Sequence, residues 1–236
     1  VNILASQNNW KEALGNIWPD AIFVPYQTPG IDLAMAMSDE LNAYVVIHGY
    51  FPKVVFLQNH GLIVSSDHAE EVIELTEAVT YAAEKSIGIN LDRYRHVSHL
   101  QQLLNKVSKT DTSIVCNDDN IVSTLIDKES SYTKIWPFCP DTLIYCGVRP
   151  VYLDNINDLL SITKYVDMYH EAPKVLMLNN HIYFCASSLK KAKEAQELFK
   201  FHLMVVEHTQ EGTQRLKLGE IAYLSNWDAE KFRQGV

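Results

Sequence analysis

Apolar and polar positions alternate along this chain in two rhythms, and the switches between them outline the elements. Residues 18–26 hold the short apolar run Ile22-Phe23-Val24, punctuated by Pro25, which predicts a strand leading to a turn at Pro29-Gly30. From Ile31 the spacing changes, and Leu33, Met37, Leu41 and Tyr44 predict a helix. Two apolar runs, Val54-Val55-Phe56-Leu57 and Leu62-Ile63-Val64, flank Gln58-Asn59-His60-Gly61 and predict a tight hairpin with Gly61 supplying the turn. Asp67 and Glu70 then resemble a capping box, and Val72, Leu75, Val79 and Ala82 give one apolar helical face ending near Gly88. A further helix is predicted over 91–107, followed by a polar boundary from Ser108.

The same order returns downstream. A strand is expected over 142–145, a helix over 156–168, a hairpin around His181 and a helix over 190–206. Ile221, Leu224 and Trp227 at helical spacing predict a closing helix packed on the body. The recurrence has a register. Lys53-Val-Val-Phe-Leu-Gln-Asn-His60 returns as Lys174-Val-Leu-Met-Leu-Asn-Asn-His181, 121 positions on. At that offset, residues 19–60 hold 11 identities in 42 positions without a gap, where ordinary composition yields roughly two or three. The chain therefore reads as two copies of one unit. Hairpins mixed with crossing helices predict an α/β fold in αβα layers, a mixed sheet with antiparallel pairs covered by helices. The boundary is placed between 108 and 109.

Composition adds a few exclusions. At 236 residues and 47% hydrophobic, the chain can bury a large core. The net charge of -9 and the lack of a Lys/Arg-rich stripe argue against a nucleic-acid partner. No apolar run approaches the roughly 20 residues needed to span a bilayer, so no membrane partner is expected. No signal peptide is visible, and a cytoplasmic setting is expected. Cys116, Cys139, Cys146 and Cys185 form no CxxC pair and lie in or beside apolar runs, as reduced buried thiols do. The chain opens at Val1 on a half-apolar segment that reads as the middle of an element, which points to a trimmed or processed piece.

Three places could carry chemistry. His60 stands at the bend of a short hairpin, where an imidazole has a fixed direction and suits a metal ligand or an acid/base group. A solvated turn histidine reads the same way. Tyr26 sits at a strand end where its phenol can reach out, although simple packing also places tyrosines there. His96 and His99, three apart on a helix face, could pair on a metal or simply be solvated. The second copy keeps His181 but replaces Gly61 with Ile182 and Tyr26 with Gly147, so it looks degenerate. The Lys190-Lys191-Ala192-Lys193 run reads as a solvated helix face.

Pro25-Tyr26-Gln27-Thr28-Pro29-Gly30, followed after about thirty residues by Leu57-Gln58-Asn59-His60-Gly61-Leu62-Ile63-Val64 and an acidic amphipathic helix, resembles the C-terminal half of a class II aldolase/adducin domain. The likeness covers roughly residues 1–90. It implies a zinc-dependent lyase acting on a small sugar phosphate, an epimerase or dehydratase on the same scaffold, or a non-catalytic adducin-like assembly module, in each case as a homo-oligomer. By that resemblance His60 is a zinc ligand and Tyr26 the mobile catalytic tyrosine. The remaining zinc ligands, a His-x-His pair, are expected upstream of Val1. The family's Gly/Ser-rich phosphate loop and acidic general base have no match here. Residues 1–108 are thus expected to be the C-terminal part of such a domain, and residues 109–236 a degenerate repeat with a closing helix.

Overall fold

The structure is a computed structural model and describes residues 1–108, 111–128, 137–209, 214–225 and 227. The fold is mixed α/β, built as two compact units, Val1–Leu91 and Asp92–Val236.

In the first unit, helices α1 (Asn2–Ala5) and α2 (Trp10–Gly15) precede strand β1 (Ile22–Val24). Helix α3 (Ile31–His48) then leads to strands β2 (Val54–Leu57) and β3 (Gly61–Val64), and helix α4 (Ala69–Ile87) ends the unit. The sheet order is β1-β2-β3, with β1 parallel to β2 and β2 antiparallel to β3. All four residues of β2 are buried, as a strand covered on both faces requires. Val54 and Phe56 pack with Leu4, Trp10, Leu14 and Val79, whereas Val55 and Leu57 pack with Tyr44, Leu33, Met37 and Leu41 of α3. This period-2 division explains why β2 is apolar throughout. Each fully buried Val, Leu or Phe contributes roughly 1.5–3 kcal/mol.

The second unit begins with α5 (Asp92–Ser108), β4 (Ser113–Cys116), α6 (Asn120–Lys128) and α7 (Pro140–Cys146). There follow β5 (Val151–Tyr152), α8 (Leu159–Tyr169), β6 (Val175–Leu178), β7 (His181–Ala186), α9 (Leu189–Thr209) and α10 (Leu218–Ser225). The sheet order is β4-β7-β6-β5, with β5 parallel to β6 and the other pairs antiparallel. Leu176 and Leu178 share a core with α5 and α8, while Val175 and Met177 share another with α6 and α9. Ile221 of α10 packs with Leu143 of α7 and with Val148.

Several elements repeat at the 121-residue offset. β2 maps onto β6 residue for residue, and α3 and α8 end together, at His48 and Tyr169. Both helices close on a left-handed residue, Gly49 at φ 76° and His170 at φ 55°, whose N–H donates to Val45 O and Val166 O.

Three expectations are corrected. Residues 142–145 lie not in a strand but in α7, where Pro140 opens the helix after an extended Cys139, and the strand beside β6 is β5. The helix assigned to the first half, α5, belongs to the second unit, because Leu100, Leu103 and Leu104 are buried with Ile114, Ile162 and Leu176. Helix α4 has no Asp67 capping box. His68 is its N-cap, and Ser66 Oγ accepts the His68 N–H at 3.1 Å while donating to Glu71.

Candidate functional site

His60 lies in the turn between β2 and β3. Leu57 pairs with Gly61, so the loop is three residues, Gln58 to His60, closed by the His60 N–H donating to Leu57 O at 3.1 Å. Two positive φ angles shape it, Asn59 at 57° and Gly61 at 141°. The second is a conformation reserved for glycine. Gly61 thus sets the turn together with Asn59.

The loop after β1 runs beside this turn. Gln58 N–H donates to Val24 O at 3.0 Å, extending the β1–β2 ladder, and the Tyr26 N–H donates to Gln58 Oε1 at 3.0 Å. These bonds bring the Tyr26 ring parallel to the His60 ring, with centroids 5.3 Å apart and planes 8° apart. His60 Nε2 is 3.0 Å from Gln27 O. A carbonyl oxygen can only accept, so Nε2 carries the proton and Nδ1 holds the lone pair of the neutral ring. A backbone carbonyl holding one ring nitrogen is the usual way a liganding histidine is oriented. Tyr26 is 52% exposed, so its phenol meets solvent.

Tyr26 and His60 are therefore brought together as parallel rings, with the phenol at a surface-open position. A catalytic zinc takes three protein ligands and an open position. Among the described residues no three His, Cys, Asp or Glu side chains converge to hold a metal ion. His60 alone does not make up the set, so the described residues do not by themselves fit the ion.

His96 and His99 have separate partners. His96 Nδ1 is 3.1 Å from the Tyr183 hydroxyl and His99 Nε2 is 2.7 Å from Asn157 Oδ1. His181 opens β7 opposite Leu178, and burial followed by the Arg93 charge lowers its pKa. The four cysteines are free, three of them buried. Burial pushes the Cys146 thiol up to about 12, which keeps it protonated and unreactive. The Lys190–Lys193 stretch is not solvated throughout, since Ala192 is a core residue.

The sequence did not single out Gln58 and Gln27 as the residues that hold the pair. Gln58 had a visible signal, because another carboxamide, Asn179, stands 121 positions on. Gln27 acts through its backbone oxygen and left none. No protein-family model, curated protein or solved structure matches the chain, and no helix among the described residues is long and apolar enough to cross a membrane.

Proposed function

We propose that Tyr26 and His60 are the proton-transfer and metal-facing half of a class II aldolase/adducin-type lyase site acting on a small sugar phosphate. The observation that carries this reading is the parallel stack of Tyr26 on His60, with Nε2 tied to Gln27 O. In this reading Tyr26 donates its phenolic proton to the aldehyde oxygen as the carbon–carbon bond forms, a role suited to an exposed phenol. His60 offers Nδ1 as one zinc ligand, and the others come from outside the described residues. The protein works in the cytoplasm as a homo-oligomer, and its two units descend from one duplicated element in αβα layers. The register shared by β2 and β6 supports that descent.

The test is metal analysis of the intact protein. Stoichiometric zinc that disappears in His60→Ala supports the reading, and zinc content unchanged by His60→Ala overturns it. An epimerase or dehydratase shares these residues and is separated by product analysis.

A second reading, a non-catalytic assembly module, is favoured by α3. That helix leaves Ile31 and Met35 exposed, together with Val46 at 85% and Ile47 at 75%, as a helix meant to be covered does. Sedimentation of the intact protein carrying Val46→Asp and Ile47→Asp separates the two: dissociation without loss of turnover leaves the lyase reading standing, and an assembly with no zinc or turnover favours the module.

A further inference from the structure

The second unit contains a cavity of about 370 Å3, within the range of small-molecule sites. Its walls include the apolar Ile144, Pro173 and Ala186, and it is also lined by Lys174, Lys191, Glu171 and Glu194. Two of these charged groups are held in place. Tyr165, which is buried, donates to Glu171 Oε1 at 3.0 Å and accepts the Val148 N–H at 3.2 Å. Lys174 Nζ donates to Ile144 O at 2.6 Å and lies 3.4 Å from Glu171 Oε2. An ammonium has three protons to donate, and these two acceptors use two.

The first unit shows what was rebuilt. At the 121-residue offset Tyr165 corresponds to Tyr44, Glu171 to Tyr50 and Lys174 to Lys53. The Tyr44 hydroxyl donates to Tyr50 at 3.4 Å, and Lys53 pairs with Glu71 on α4. In the second unit the place of Glu71 is taken by the core residue Ala192 and that of Glu70 by Lys191. Lys174 therefore turns to Glu171 instead of crossing to the following helix. Gly147, at the place of Tyr26, permits this arrangement: a Cβ there would stand 2.8 Å from the Tyr165 hydroxyl oxygen and 3.2 Å from Glu171 Oε1. The second unit gave up the tyrosine of the hairpin site and gained an oriented Tyr165–Glu171–Lys174 chain beside a cavity.

Both signs of charge line this space. Three carboxylates, Asp111, Glu171 and Glu194, and two ammonium groups, Lys174 and Lys191, stand around it, so a ligand that carries one charge of each sign can be met by both. We propose that the cavity binds a small amphoteric molecule with the size and charges of a free apolar α-amino acid. Its carboxylate is received by Lys174 and Lys191, its ammonium by Glu171 and Glu194, and its side chain by Ile144, Pro173 and Ala186. This inference stands apart from the lyase reading.

The experiment is isothermal titration calorimetry on the full chain with L-leucine, L-methionine and L-phenylalanine, beside the single-charge analogues 4-methylpentanoate and 3-methylbutylamine. At least one amino acid is expected to bind saturably, with both analogues weaker by about tenfold or more, as loss of a charge-assisted hydrogen bond implies. Lys191→Ala should weaken binding by a similar factor. Ala186→Phe and Ala172→Phe, which fill the cavity from a strand and from a loop, should abolish it with the far-UV circular dichroism unchanged. If Ala186→Phe does not fold, Ala172→Phe decides. The proposal is overturned if none of the three amino acids binds saturably, if an analogue binds as well as the best amino acid, or if binding survives in the folded filled variants.

Discussion

In the first unit three residues separate β2 from β3, and in the second only Asn179 and Asn180 separate β6 from β7. Both asparagines are left-handed, at φ 50° and 64°, the geometry of a two-residue turn matched to strand twist. The strands themselves align residue for residue, so the shorter turn slips the pairing by one. Phe56 faces Leu62, but its counterpart Met177 faces Ile182, which aligns with Gly61. A slip of one sends a strand's side chains to the opposite face. Leu62 accordingly packs on the α4 side, whereas Tyr183 at the same place is buried on the α8 side. The cause is Gly61: its φ of 141° is closed to the branched Ile182 that stands at the matching place, so the longer turn is unavailable to the second unit. His60 stays in the turn, held by Gln27 O, while His181 becomes the first residue of a ladder.

The largest test of this contrast truncates the central strands. Phe56→Ala and Leu176→Ala should each cost roughly 3–5 kcal/mol and about 2–5 kcal/mol respectively. Urea unfolding followed by tryptophan fluorescence and circular dichroism should show each change confined to its own unit. A shared loss would mean that the two units unfold as one.

Acid should strike the second unit selectively. His202 is buried, stacks on Phe138 with centroids 5.5 Å apart, and its Nδ1 has no partner among the described residues. Burial lowers its pKa from 6.5 to about 4. A depressed folded-state value means that the unfolded chain takes up the proton first. Stability is therefore complete above about pH 6.5 and falls as the pH drops towards 4, by ~3 kcal/mol in total. The unfolding midpoint measured between pH 7.5 and 4.5 should flatten in His202→Leu. The place matching His202 in the first unit is Tyr81, which is exposed, so no buried imidazole stands there to be protonated.

Gly61→Ala should cost about 1–3 kcal/mol through backbone strain alone, because an added Cβ finds only an ordinary 3.6 Å contact with Asn2 Oδ1. Nuclear magnetic resonance of His60 should show it leaving Tyr26, whereas an intact stack would mean that the turn tolerates the change. The smallest effect is expected for Tyr26→Phe, within about 0.5 kcal/mol of wild type as an exposed substitution. It should nevertheless lower turnover by roughly 100-fold or more if the phenol transfers the proton.

Legibility followed the type of force involved. The paired apolar blocks at β2 and β6 and the left-handed end of α4 at Gly88 were readable, because each is encoded locally. Residues 142–145 were misread because a short apolar run has no period long enough to separate strand from helix. The better signal was Pro140 after Cys139, a helix start. The assignment of α5 to a unit was invisible, since an amphipathic face does not name the surface it packs on. Strand β4 and helix α6 were missed for a related reason: residues 111–128 lie outside the recurring block. At the candidate site Tyr26 and His60 could be picked out, but the Gln27 carbonyl that fixes the imidazole could not, because every residue has one.

The one-residue slip has a corollary for how such a chain changes over time. A hairpin that can mesh at two adjacent teeth keeps its strand sequences while its loop alone decides which half of them is shown to which neighbour. Inserting a single codon between Asn180 and His181 would exchange the α8-facing and α9-facing surfaces of β7 in one event, a far larger remodelling than any point replacement could deliver.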